Sequence, residues 1–186
     1  CESKCIRLKM KQPAVAIGYL ERFAADWQRN SGEEEAVKME PKNGIKVAVV
    51  GSGPSGLSFA GDMAKKGFDV AVFEALHEIG GVLKYGIPEF RLPNAVVDHE
   101  IEGLRKMGVD FQKDVLIGRT ITYDDLHSMG FKGIFVGSGA GFPRFMNIPG
   151  ENLNGVMSSN EYLTRINLMQ AGRGGDTPVI TGDTVA

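Results

Sequence analysis

A glycine-rich turn is the stretch of this sequence best suited to binding chemistry. Gly51-Ser52-Gly53-Pro54-Ser55-Gly56 follows a short β-branched apolar run, residues 46–50, that is typical of a parallel strand buried on both faces. Gly51 permits a tight turn out of the strand, and Gly53 lets a phosphate approach the backbone closely. A helix is predicted at residues 57–66, and the amides and partial positive charge of its N-terminus favour an anion. The turn therefore predicts a phosphate-binding loop.

The acidic residue Glu74 gives this turn its specificity. A second β-rich run, residues 69–73, ends at Glu74, which stands 18 residues after Gly56. A carboxylate there accepts hydrogen bonds from both ribose hydroxyls of a dinucleotide and repels a 2′-phosphate, so FAD or NAD is expected rather than NADP. The competing interpretation is a glycine turn of some other α/β domain. Strand, turn, helix, strand and acid in this order favour dinucleotide binding.

Composition argues against several other classes of protein. The chain has 186 residues, a formal net charge of −2 and scattered lysines and arginines, so there is no electrostatic case for binding nucleic acid or an anionic membrane. No run approaches the roughly 18 apolar residues of a membrane span, and no signal peptide is visible, so a cytoplasmic location is expected. Glycine, at 25 residues, is about twice as frequent as the usual ~7%. This excess falls in turns beside strands, as a nucleotide-binding α/β fold requires.

The rest of the chain alternates between helical and extended patterns. Apolar residues at helical spacing predict a packed helix at 16–28, and the charged stretch 30–43 predicts a linker. Residues 77–93 are punctuated by Gly and Pro, which predicts a functional loop with little regular structure. The other expected elements are a helix through Val97, Ile101 and Leu104 stopping at Gly108, a strand at 109–112, a short helix capped by Thr122 and Asp125, a strand at 133–136, and a helix from a Ser158–Glu161 capping box to about Met169.

A second glycine turn, residues 137–143, comes directly after the predicted strand at 133–136. Open α/β sheets bind their ligands at the carboxyl ends of the strands, so the two glycine turns are expected to flank one cofactor. The order of elements predicts an α/β fold with a doubly wound, Rossmann-like sheet.

Several segments of the sequence resemble one family of oxidoreductases. They read CESKC, PAVAIGYLERF, VAVVGSGPSGL, FEALHEIGGVLKYGIPEFRLP and VGSGAGFPRFMNIPGENLNGVMSSNEYLTRINLM, and they cover nearly the whole chain in the family's order. The family is that of the small (β) subunit of glutamate synthase, with the related FAD domains of dihydropyrimidine dehydrogenase and of electron-bifurcating NADH-dependent ferredoxin:NADP oxidoreductases.

The resemblance implies where FAD is held. The first glycine turn would hold the pyrophosphate, Glu74 the adenosine ribose, and residues 74–83 would run along the cofactor toward the isoalloxazine. Val115 would offer a backbone contact to the adenine, and Arg91 would contact FAD, with a surface salt bridge as its alternative role. The implied FAD-binding residues are Gly51, Gly53, Pro54, Ser55, Gly56, Glu74, Ala75, Gly81, Val82, Leu83, Arg91, Val115, Gly137, Ser138 and Gly139.

Cys1 and Cys5 are the only cysteines of the chain. By themselves they suggest a reduced pair without a special role, with a local disulfide as the less favoured alternative. The resemblance implies instead that they are the last two thiolate ligands of a 4Fe–4S cluster whose other cysteines lie upstream, since soft sulfur suits iron. Glu21 stands where some relatives supply a further ligand, and its alternative is a solvated helix residue. The chain lacks the upstream cysteines and cannot complete a cluster by itself.

The resemblance also implies an organisation and an activity. Residues 1–43 would be the end of a helical iron–sulfur domain plus a linker, 44–170 the FAD-binding domain, and 171–186 a linker into an NAD(P)-binding domain. The chain opens on Cys1 and ends on a strand-like sequence, which favours a fragment of a longer chain; a frayed natural terminus is the alternative. The resemblance implies that such a fragment, without the NAD(P)-binding unit, would be inactive alone.

The intact parent would pass electrons from NAD(P)H through FAD and 4Fe–4S clusters to a partner, either the large subunit of glutamate synthase or an analogous acceptor subunit. No catalytic side chain is expected, because the flavin carries the hydride chemistry. The alternatives are a bifurcating ferredoxin:NADP oxidoreductase subunit, a pyrimidine-reducing enzyme, and a non-catalytic flavin- or NAD-binding module.

Overall fold

The computed structural model of the chain describes residues 2–32, 37–179 and 182. The chain divides into two compact units, Cys1–Val37 and Lys38–Ala186. The boundary between them lies close to the expected linker, and the assignment of residues 1–43, 44–170 and 171–186 to domains stays a prediction.

The first unit is helical. A 3₁₀ turn at Glu2–Lys4 and a short helix α1, Ile6–Lys9, precede a longer helix α2, Ile17–Ser31. α2 ends at Gly32, whose left-handed backbone (φ 70°) is a common helix stop. The helix predicted at 16–28 is confirmed, but its expected packing is wrong. Phe23 and Trp27 of its apolar stripe are exposed, and no described residue of this unit is buried.

The second unit is built on a parallel sheet of four described strands in the order β3-β2-β1-β4. The strands are β1 (Lys46–Val50), β2 (Asp69–Phe73), β3 (Asp110–Gln112) and β4 (Phe131–Val136). All three pairings are parallel, and β1 lies between β2 and β4. The expected α/β Rossmann-like fold is therefore confirmed, and every predicted strand of this unit is present.

Helices cover both faces of this sheet because both sets of strand side chains are apolar. The unit contains the helices α3 (Pro54–Lys65), α4 (Val82–Tyr85), α5 (Asn94–Lys106), α6 (Tyr123–Ser128) and α7 (Ser159–Leu163), of which α3 and α6 pack on opposite faces of the sheet. On one face Val49 and Val72 pack against Ala60 of α3. On the other face Ala48 and Ala71 pack against the cluster that contains the fully buried Leu126 of α6. This alternation is the two-residue period of a strand.

Three helices differ from their predicted bounds. α3 begins at Pro54, three residues before the predicted start, because proline suits the first position of a helix. α4 is a single turn inside the loop expected to lack regular structure. The helix predicted to run to Met169 changes after α7 into a π-helical turn, Thr164–Leu168, and the Thr164 hydroxyl donates to the carbonyl oxygen of Asn160 at its start.

The cap predicted at α6 is observed in full, and the capping box predicted at α7 is observed in part. At α6 the Thr122 hydroxyl accepts from the Asp125 N–H, and the Asp125 carboxylate accepts from the Thr122 N–H. At α7 the Ser158 hydroxyl accepts from the Glu161 N–H, which is half of the predicted box. In the described part of the chain, none of the helices combines the length and the apolar character needed to cross a bilayer.

Candidate functional site

Three parallel strands end together at one edge of the sheet. Val50, the last residue of β1, pairs with Phe73 of β2 and with Val136 of β4. The backbone hydrogen bonds continue one residue further. The Gly51 N–H donates to the carbonyl oxygen of Phe73, and the Gly137 N–H donates to the carbonyl oxygen of Val50, each at a distance of 2.8 Å. Three predicted site residues therefore follow the strands side by side: Gly51, Glu74 and Gly137.

The turn from β1 into α3 has the geometry expected of a phosphate-binding loop. No side chain caps α3, whose N-cap is Gly53. A Cβ added at Gly53 would meet no heavy atom within 4 Å, so the backbone there borders open space. Ser55 is exposed in the first turn, whereas a Cβ at Gly56 would overlap the carbonyl oxygen of Gly51. The turn thus offers backbone amides to an approaching anion while α3 lies tightly against it.

The two glycine turns touch each other. A Cβ at Gly51 would come within 2.5 Å of the carbonyl oxygen of Gly137, and Gly51 has a backbone φ of 96° that suits glycine. Ser138 and Gly139, which follow, are exposed. The structure therefore brings the 51–56 turn and the 137–139 turn together, as the sequence predicted.

Glu74 is buried at the same edge, with 6% of its surface exposed. One carboxylate oxygen, Oε2, accepts hydrogen bonds from the N–H and the hydroxyl of Ser52, and the other, Oε1, accepts from the Leu76 N–H. The Ser52 hydroxyl in turn accepts from the Gly80 N–H at 2.9 Å. The sequence analysis did not identify Ser52 as a site residue. The available signal was its polar side chain, which stands between Gly51 and Gly53 in a turn otherwise suited to glycine.

The loop after Glu74 returns to the glycine turn. A Cβ at Gly81 would lie 2.9 Å from the Cα of Gly53, so this loop passes directly over the turn. Val82 is exposed, whereas Leu83 packs with Leu57 of α3 in a third apolar cluster. Gly81 and Gly53 are thus brought together.

Three other expected FAD-binding residues occupy different surroundings. The Val115 N–H donates to the Glu74 carbonyl oxygen over 2.9 Å, which places Val115 beside the acid. Ala75 is exposed next to it. The Arg91 side chain is exposed, and the backbone N–H of Arg91 donates to the Pro88 oxygen. The role of Arg91 therefore stays a prediction.

A cavity of about 890 Å³ borders the loop that follows Glu74. It is lined by Leu76 and Tyr85 of that loop and by residues from the second glycine turn onward, including Gly141, Glu161 and Arg165. The glycines of the first turn are not part of its lining, so the cavity adjoins the strand-end site rather than coinciding with it. Its volume is within the range of small-molecule sites.

The expected cluster ligands lie in the first unit. Cys1 is outside the described residues. Backbone hydrogen bonds from Val15 and then Arg7 hold the pKa of the Cys5 thiol below its ordinary value. Glu21 is exposed on α2. The described residues contain no group of three or more His, Cys, Asp or Glu side chains able to hold a metal, so they do not fit a cluster by themselves.

A parallel sheet whose first strand runs through a glycine turn into a helix, with an acid after the second strand, defines a Rossmann-like dinucleotide-binding domain. The family described as "NAD(P)-binding Rossmann-like domain" matches residues 49–112. Among solved structures, the oxidoreductase FprA of Mycobacterium tuberculosis superposes with a TM-score of 0.58 at 23% identity, over 66% of this chain and 29% of that chain. At this identity the likeness shows the fold.

Curated relatives are more similar in sequence. The "Putative oxidoreductase UacF" of Escherichia coli is 38% identical over 164 residues, which are 88% of this chain and 25% of that protein. The "Glutamate synthase [NADPH] small chain" of Bacillus subtilis is 37% identical over 88% of this chain and 33% of its own length. The chain is therefore similar in sequence to a group of oxidoreductases that includes the glutamate synthase small chains. It spans about a quarter to a third of the length of these relatives.

Proposed function

We propose that this chain is the FAD-binding part of an NAD(P)H-dependent flavin oxidoreductase of the glutamate synthase small-chain type. The observation that carries the proposal is that Gly51, Glu74 and Gly137 lie side by side at one edge of the sheet. This edge is the topological switch point, because β2 and β4 lie on opposite sides of β1. In open α/β sheets this is the place where dinucleotides bind.

The described residues fit such a cofactor. The open space beside Gly53 admits a pyrophosphate against the uncapped start of α3. The carboxylate of Glu74, which is buried, would contact the adenosine ribose and would disfavour a 2′-phosphate. The Gly81 backbone, held against Gly53, would extend the binding surface along residues 81–83. The adjoining cavity, lined by Tyr85, has room for a ring system.

The chain's residues would bind and orient the cofactor rather than react. The chemistry that FAD supplies when bound is hydride acceptance from a reduced nicotinamide and the onward release of electrons. The backbone amides at 51–56 and 137–139 would fix the diphosphate, and Glu74 would set the adenosine end. Arg91 is proposed as a cationic contact to a phosphate or flavin oxygen.

The wider role is proposed from the relatives. The donor would be NADPH or NADH, since the relatives' names carry "NADPH" and "NAD-dependent". The acceptor would be a large subunit of glutamate synthase or an analogous subunit in the cytoplasm. Cys1 and Cys5, with Glu21 as a further candidate, would be part of a 4Fe–4S ligand set completed by other residues. The lowered pKa of Cys5 supports a thiolate role.

The FAD affinity of the full chain tests the binding part of this proposal. We expect the chain to bind FAD and to lose about tenfold or more in FAD affinity in Glu74→Gln, because hydrogen bonds to a charged acceptor are the strong ones. Flavin fluorescence and calorimetry measure these affinities. Glu100→Gln, an exposed acid of α5, is the matched control. Unchanged FAD affinity in Glu74→Gln would contradict the role given to Glu74, and a lack of FAD binding by the unaltered chain would contradict the proposal.

Anaerobic titration with NADPH and NADH tests the electron-transfer part on a protein that also carries a pyridine-nucleotide domain. Rapid bleaching of the flavin absorption is expected of an electron-transfer subunit, and an unchanged spectrum would support a non-catalytic binding module. A second candidate function is a pyrimidine-reducing subunit, because an Escherichia coli protein named "NAD-dependent dihydropyrimidine dehydrogenase subunit PreT" is 36% identical over 78% of this chain. Reoxidation by a pyrimidine rather than by a glutamate-forming partner would favour it.

A further inference from the structure

Ser52 is the residue through which the first glycine turn, the acid after β2 and the following loop are joined. It is completely buried. Its N–H donates to Glu74 Oε2 at 2.9 Å, its hydroxyl donates to the same oxygen, and its Oγ accepts from the Gly80 N–H at 2.9 Å. Its partners Glu74 and Gly80 stand 22 and 28 positions further along the chain.

The bonds to Glu74 limit what else its carboxylate can accept. A carboxylate has roughly four accepting directions. Two are taken on Oε2 by Ser52, and one on Oε1 by the Leu76 N–H. About one accepting direction therefore remains, on Oε1, so Glu74 in this arrangement has room for one ribose hydroxyl rather than the two expected from sequence.

We propose that Ser52 is a positioning residue for dinucleotide binding: its hydroxyl fixes the Glu74 carboxylate so that Oε1 accepts a single hydroxyl of the adenosine ribose. This inference rests on the proposed FAD site. Because Oε2 is already saturated by Ser52, the selectivity of the site for the ribose depends on Ser52 as well as on the acid. The hydrogen bond from the Gly80 N–H to Ser52 also holds the loop in which Gly81 lies against Gly53 of the first glycine turn.

The test compares FAD with two analogues that lack the 2′- or the 3′-hydroxyl of the adenosine ribose, bound to the full chain. With the unaltered chain, one analogue is expected to bind about tenfold more weakly than FAD, and the other nearly as well as FAD. The quantity compared is the ratio of each analogue's dissociation constant to that of FAD. In Ser52→Ala the larger of the two ratios is expected to fall below about three, because the carboxylate is no longer held in one orientation. FAD itself should bind about tenfold more weakly.

Two further variants separate positioning from folding. Ser58→Ala removes an exposed hydroxyl on α3 and should leave every ratio unchanged. Ser52→Cys keeps the approximate size with a weaker donor, so it should fold and give an intermediate ratio. If Ser52→Ala proves too unstable to measure, the ratio of analogue to FAD dissociation constants in Ser52→Cys is used instead: a lower ratio than in the unaltered chain supports positioning, and an unchanged ratio contradicts it.

The outcomes distinguish this inference from the proposed function. If the unaltered chain binds FAD and the ratio stays the same when Ser52 is changed, Ser52 has only a structural role and the inference fails alone. Equal losses for both analogues in the unaltered chain also overturn it, because Glu74 then accepts both hydroxyls. If the unaltered chain binds no FAD, the proposed function fails and this inference with it.

Discussion

At the scale of single residues, the glycines of the first turn have different reasons to be glycine. Gly51 and Gly56 have no space for a Cβ, because each lies against backbone. Gly53 does have space, and its backbone angles (φ −69°, ψ 179°) are ordinary for any residue. In the proposed site, the close approach of the pyrophosphate is the reason why a side chain at Gly53 would be harmful.

Gly53→Ala should therefore impair binding more than folding. We expect a loss of about 1 kcal/mol at most in the free energy of unfolding, because alanine is a poorer N-cap, but roughly tenfold weaker FAD binding, because the Cβ would occupy the space of the pyrophosphate. Denaturant unfolding and flavin fluorescence measure the two effects. Gly103→Ala, on the exposed surface of α5, is the control and should stabilise the chain by about 0.5–1 kcal/mol without changing FAD affinity. Unchanged FAD affinity in Gly53→Ala would place the phosphate elsewhere.

At the scale of elements, a nearly buried lysine holds the loop that passes over the turn. Lys84 of α4 is paired with Asp98 of α5 at 2.6 Å and with Glu78 at 3.2 Å. Burial lowers the pKa of Lys84, but the ion pairs with Asp98 and Glu78 outweigh it, so the pKa lies above the ordinary value of 10.5. The network fixes α4 against α5 and thereby the position of Gly81.

This lysine predicts a pH-dependent stability. Because the pKa of Lys84 is raised on folding, its contribution is fully present below about pH 10.5 and is lost as the pH rises through the folded-state pKa. Lys84→Met should cost about 1–3 kcal/mol near neutral pH, and its difference from the unaltered chain should shrink as the pH is raised toward about 12. Urea unfolding across that range measures it. Lys65→Met, an exposed lysine of α3, should give a small difference that does not change in this way. A constant or growing gap for Lys84→Met would refute the assigned role.

At the scale of the whole molecule, the two units differ in how much core they have. All three apolar clusters of the described residues lie in the second unit, whereas no described residue of the first is buried. Every expected FAD-binding residue also lies in the second unit. Burial of apolar surface is the dominant stabilising contribution to folding, so the second unit should carry most of the stability.

Residues 38–186 are therefore expected to fold without residues 1–37. We predict one cooperative unfolding transition and an FAD affinity within about twofold of that of the full chain. Circular dichroism and calorimetry measure both. Residues 1–37 alone serve as the comparison and should be largely unfolded, since a short helix without packing is marginal in water. A failure of residues 38–186 to fold would show that the first unit contributes to the core.

Much of the fold was predictable because its signals are local. The apolar runs at 46–50 and 69–73, the glycine turn between them and Glu74 after them each depend on neighbours in the chain, and the structure confirms that order. The capping residues Thr122 and Asp125 were predictable for the same reason, because a cap joins positions three apart.

The sequence by itself therefore determined the order of elements, the class of sheet and the residues that end its strands. Only the tertiary structure decided that Ser52 saturates one oxygen of Glu74, that Gly81 lies against Gly53, and that α2 leaves its apolar stripe exposed. These contacts join residues far apart in the chain, or depend on what covers a surface. Local propensity contains no information on such distances, which are fixed when the elements pack.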